Sequence, residues 1–66
     1  MSEKFGDAKY KIVLATDGIA RANASLIEAL IRDNHGSIGS RLIAAERYLT
    51  IAMKDISTAF ASLEKP

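Results

Sequence analysis

Sixty-six residues make one domain at most, in the size range where a lone hydrophobic core is marginal. Nine basic residues against eight acidic ones leave a net charge of +1, mixed along the chain, which argues against a nucleic-acid polymer held by charge alone. With no cysteine and one histidine, neither a disulfide nor a His/Cys metal site is expected, so association is the common remaining route to stability.

Residues 1–7 are polar and are expected to form a loose arm, with Asp7 capping a helix over 8–32. No basic stretch followed by an apolar run opens the sequence, and Ile12 to Ala15 is too short to span a membrane. A cytoplasmic protein with no membrane partner is therefore expected. In helix one, Ile12, Ile19 and Leu26 alternate with Ala15, Ala22 and Ala29 in a seven-residue repeat. Such alternation predicts a narrow helix-pair seam in which large side chains of one helix cover alanines of the other. A second stripe, Val13, Ala20, Ala24, Ile27 and Ile31, needs another surface to cover it and is the predicted oligomer interface. Gly18, beside Asp17, costs helix one about 1 kcal/mol relative to alanine. It marks either a kink or close approach of a neighbouring helix, or is simply tolerated.

Residues 33–40, Asp33-Asn34-His35-Gly36-Ser37-Ile38-Gly39-Ser40, carry turn and cap chemistry and predict the connection between the helices. His35 has no second His, Cys or Ser-His-Asp order around it and reads as an exposed turn histidine. The segment Gly36 to Arg41 reads in two ways. It is a turn and cap, or it is a phosphate cradle of glycine-freed amides, serine hydroxyls and a guanidinium. The candidate ligand residues are accordingly Ser37, Gly39, Ser40 and Arg41, joined by Arg47, Tyr48 and Lys54 from the next helix.

Helix two, 41–64, repeats the pattern: Leu42, Leu49, Ile56 and Leu63 alternate with Ala45, Ala52 and Ala59, thirty residues after their counterparts. Laying Lys11 to Leu30 over Arg41 to Phe60 matches Lys with Arg, Ile with Leu and Val with Ile, as a duplicated unit would. Tyr48, Ile51, Met53 and Phe60 form a weaker apolar flank. Glu28, Asp33, Glu46 and Asp55 are a turn or more apart and read as solvated or ion-pairing groups. No acid/base pair, nucleophile or metal cluster emerges, so neither an enzyme nor a cofactor is expected.

Tyr48-Leu49-Thr50-Ile51-Ala52-Met53-Lys54-Asp55-Ile56-Ser57-Thr58-Ala59 resembles the final helix of the phage cyclic-oligonucleotide sponges that counter CBASS immunity. Leu49 to Ala52 and Ala59 match that family's Leu-Thr-Ile-Ala-like element and the alanine seven residues on. Ala24-Ser25-Leu26-Ile27-Glu28-Ala29-Leu30 is similar to its preceding helix. Lys54 and Asp55 stand where the family tends to have Thr-Lys, and Ser62 stands near its usual tryptophan. The resemblance spans about half the chain and implies a helical oligomer that holds cyclic di- or trinucleotides between subunits without cleaving them.

These readings converge on an all-α, two-helix antiparallel hairpin with Ala/Leu heptad seams, assembling with itself into a helical bundle. The expected function is a non-enzymatic homo-oligomeric binding protein, a sponge for cyclic nucleotide immune signals. The alternatives are a hairpin adaptor or regulator that docks a protein partner, and an RNA-binding hairpin dimer, which the near-neutral charge disfavours.

Overall fold

A computed structural model describes residues 3–64, with side chains from residue 5 onward. Two α-helices, α1 (Glu3–Leu30) and α2 (His35–Glu64), lie against each other as a hairpin, a thin slab 51 × 14 × 9 Å along its principal axes. No strand occurs among the described residues. Helix one begins earlier than expected: residues 3–7 are helical, so Asp7 lies inside α1 and does not cap it. Residues 1 and 2 of the expected arm lie outside the described residues.

The connection is also shorter than the predicted 33–40. Backbone bonds from the Ile31 amide to the Glu28 carbonyl and from Arg32 to Ala29, each 3.2 Å, tighten the end of α1 into a three-residue turn. Asn34 then caps α2. Its Oδ1 accepts from the Ser37 amide at 2.8 Å while its carbonyl accepts from Ile38 at 3.1 Å, the geometry of an N-cap. Gly36 and Gly39, which marked the turn in the sequence, both belong to α2, and no described glycine adopts positive φ. Asn34 therefore makes the turn chemically, with no left-handed residue.

The seven-residue repeat sets the seam, but with a different partition from the expected one. Ala8, Ala15, Ala22, Ala29, Ala45, Ala52 and Ala59 are the buried apolar residues, and no large side chain is fully buried. A Cβ added to Gly18 would stand 3.3 Å from the Ala52 Cβ and 3.2 Å from the Tyr48 carbonyl oxygen. Small residues thus face small residues and backbone at that layer, where the sequence had predicted large side chains over alanine. The physical reason is spacing: helices meeting through alanine and glycine approach to the short end of the usual ~8–10 Å interaxial range, leaving no room for Leu or Ile between them. Gly18 is there for close approach.

The heptad leucines and isoleucines are displaced to the flank of the seam, where Ile12, Ile19 and Leu26 on α1 and Leu42, Leu49, Ile56 and Leu63 on α2 remain 40–52% exposed. No helix of the described chain is long and apolar enough to cross a membrane.

Candidate functional site

Antiparallel pairing sorts the residues around each alanine onto two sides of the slab. Positions four after an alanine fall on one side from both helices, because equivalent flanks face each other across an antiparallel pair. That side is apolar. Near the turn it opens into a hollow of about 530 Å³ bordered by Leu26, Leu30, Ile38 and Leu42 with Asn23 and Arg32 at its polar edge, and at the far end into one of about 200 Å³ bordered by Ile12, Ile56, Phe60 and Leu63. Positions three after an alanine lean the other way and are mostly polar: Lys11, Gly18 and Ser25 on α1, Arg32 just beyond its end, and Tyr48, Asp55 and Ser62 on α2, joined by Arg41, three after Ile38.

The polar side is held together across the seam near the turn. Buried Ser25 donates its hydroxyl to the Arg41 carbonyl at 2.7 Å. One carboxylate oxygen, Glu28 Oε1, receives Arg32, just past the end of α1, at 3.3 Å and Arg41 from α2 at 3.4 Å. Two guanidinium groups share one carboxylate, so this end of the polar side keeps a surplus positive charge. Arg32 Nε is enclosed with no hydrogen-bond partner, a donor without an acceptor where most enclosed donors find one. About two turns back toward the start of α1, Arg21 Nε donates to Asp17 at 2.8 Å. That hydrogen bond, then the Asp17 charge, with Tyr48 acting in the same direction, raises the Arg21 guanidinium above its ordinary value. Both partners are well exposed, so water screens the pair and its weight in stability is small.

Two shallow depressions lie side by side here and share Arg41. The first, about 240 Å³, is bordered by Arg32, Gly36, Ser37, Ser40 and Arg41. The second, about 220 Å³, is bordered by Arg21, Ala24, Ser25, Glu28, Arg41 and Tyr48, with Ala44 between the last two. Of the residues expected from sequence to bind a ligand, Ser37, Ser40 and Arg41 come together at the first depression, and Tyr48 joins Arg41 at the second. Gly39 lies inside α2. Arg47 borders a separate hollow with Glu46, Thr50 and Ile51, and Lys54 is exposed on the same helix. Of the amides expected to form the cradle, those of Ser37 and Ile38 already bond Asn34, so what this end of α2 offers is chiefly side chains.

Compared with known proteins, the chain matches no family model, no curated protein and no solved structure.

Geometry is thus the guide to the site. Arg21, Ser25, Glu28 and Arg32 belong to the polar side with Arg41, although no local motif groups the five. Their signal was in the repeat: Ser25 and Arg32 stand three residues after Ala22 and Ala29, as Arg41 and Tyr48 stand three after Ile38 and Ala45. Of the predicted oligomer stripe, Val13, Ala20, Ala24 and Ile27 are exposed on α1 and Ile31 is exposed just beyond its end. Ala24 borders the polar depression with Arg21 and Tyr48, whereas Ile27 borders the apolar hollow by the turn. Among the described residues no cluster of His, Cys, Asp and Glu has the makings of a metal site.

Proposed function

We propose that the chain is a non-enzymatic binding protein that works as a homo-oligomer of hairpins and takes a compact anionic ligand on its polar side. One observation carries the assembly: the hairpin buries seven alanines and no large side chain completely, while eighteen large apolar residues stay exposed. Alanine burial alone removes too little apolar surface to offset the ordering of sixty-six residues, since that ordering costs about 1.5 kcal/mol per residue.

For the ligand, a cyclic di- or trinucleotide held intact is the reading favoured, in keeping with the resemblance of the α2 segment to the CBASS-countering sponges. Each polar depression falls short of the ~300 Å³ at which small-molecule pockets begin. A ligand with two phosphates, however, has a use for two neighbouring depressions: Arg32 and Arg41 flank one, Arg21 and Arg41 the other, and Tyr48 offers a ring to a base. Glu28 competes with any phosphate for Arg32 and Arg41.

The test is calorimetry against a panel of cyclic di- and trinucleotides, followed by chromatography of the recovered ligand. Binding of an intact nucleotide is expected, weakened at least about tenfold by Arg41→Ala and strengthened by Glu28→Gln, which releases both guanidiniums. Absence of binding across the panel would overturn the nucleotide reading and leave the hairpin as an adaptor for another protein. Recovery of a cleaved ligand would make the protein an enzyme.

A further inference from the structure

We infer that a second copy of this chain covers the side of the slab that carries Ile19 and Leu49, the two hairpins packing face to face about a two-fold axis into a four-helix bundle. This rests on the homo-oligomer reading and goes beyond it in naming the face, the symmetry and the surface left free. It departs from the stripe through Val13 and Ile31 that the sequence suggested.

Area is the first reason. The hairpin exposes 5148 Å², whereas a compact monomer of 7.1 kDa is expected to expose only about 4,100 Å². The excess of roughly 1,000 Å² per chain compares with the ~800 Å² per partner of a stable protein interface. The second reason is shape. Apolar hollows lie at both ends of this side, about 530 Å³ by the turn and about 200 Å³ at the open end. Ile19 and Leu49 stand between them at mid-length. Hollows flanking a ridge on one apolar side are what knobs from a facing helix pair fill.

The third reason identifies the occupant as another copy. The apolar rows of α1 and α2 share a seven-residue repeat and are related by an offset of thirty, Ile12 to Leu42, Ile19 to Leu49 and Leu26 to Ile56. Both rows therefore have the same ~10.5 Å rise between successive large side chains. A two-fold rotation lays the α1 row of one hairpin along the α2 row of the other with matching period, the self-complementarity that an isologous contact requires. The opposite side lacks this property: Lys11, Arg32, Arg41 and Asp55 interrupt it with charge. Pairing through the apolar side leaves Arg21, Arg41 and Tyr48 facing outward and accessible to a ligand, with Arg32 at the edge between the hollow by the turn and the polar depression.

The chain contains no cysteine, so single-cysteine variants report burial cleanly. Leu49→Cys and Val13→Cys, purified alone, are alkylated with a maleimide at matched concentration, with rates normalised to those in urea, while light scattering gives the mass. Val13 is 64% exposed in the hairpin and Leu49 40%, so in a lone hairpin the two rates would be similar. The expected result is a mass of two chains or an even multiple, with Leu49→Cys alkylated about tenfold or more slowly than Val13→Cys because reaction awaits dissociation or opening. Protection falling away on dilution would tie it to the second copy. An oligomer in which Val13→Cys is protected and Leu49→Cys reacts freely would overturn the face assigned here and leave the homo-oligomer reading standing. A folded, helical monomer with both thiols reactive would overturn both.

Discussion

Asn34 decides where α2 starts, and it does so with one side chain and one carbonyl. Its Oδ1 takes the Ser37 amide, which would otherwise be orphaned at the helix end, and its carbonyl accepts the first intrahelical bond, from the Ile38 amide. The serines and glycines nearby attracted the sequence reading because they share cap and turn chemistry, yet Ser37 and Ser40 lie within the helix and contribute hydroxyls to the polar side. The roles separate by substitution. Asn34→Ala should cost about 1 kcal/mol of stability, read as a lower midpoint in thermal or urea denaturation. Ser37→Ala and Ser40→Ala, which remove no cap, should each shift stability by less than about 0.5 kcal/mol. Equal losses at all three positions would show that the cap is shared.

At the level of the helices, the repeat was legible and its meaning only partly so. A seven-residue period in Ala and Leu predicts two helices and their antiparallel pairing, because those follow from periodicity and a break between the runs, while the helix starts do not. What periodicity does not specify is which of two adjacent heptad positions faces the partner. Alanine and leucine rows lie about 50° apart on each helix, and a seam centred on either satisfies the pattern. The structure centres it on alanine, and Gly18 held the clue, since a helix retains a glycine at a cost of about 1 kcal/mol most readily where a Cβ has no space. For the polar side the sequence brought out Ser37, Ser40, Arg41 and Tyr48 from their local setting, but Glu28 and Ser25 entered only through contacts across the seam. The alanine-centred seam has a direct consequence. Ala52 is 1% exposed and its Cβ would already crowd a Cβ at Gly18, so Ala52→Leu has neither a void nor a flexible neighbour to grow into. It should destabilise by about 1–3 kcal/mol, measured as a fall in the denaturation midpoint at fixed concentration. An unchanged midpoint would mean that the helices separate freely and that alanine is not what sets their distance.

For the whole molecule, the distribution of burial links folding to association. Each helix is flanked by its partner along one narrow row of small side chains, and the large apolar side chains of α1 and α2 that would ordinarily form a core are half-covered at the flank. A hairpin so constructed orders its described residues for the burial of small side chains, and under the pairing proposed above the larger hydrophobic gain comes when a second hairpin closes over the flank. Folding and pairing then occur as one transition, and stability depends on concentration by mass action. The size of that dependence follows from the enthalpy. Unfolding two chains at about 0.7 kcal/mol per residue absorbs about 90 kcal/mol, which raises the melting temperature by about 5 °C for each tenfold increase in concentration. Circular dichroism across about a hundredfold range of concentration would read it as two such steps. A melting temperature that stays constant over that range would mean that the hairpin folds alone, that its alanine seam supplies more than the burial of small side chains accounts for, and that the apolar flank serves a partner of another kind.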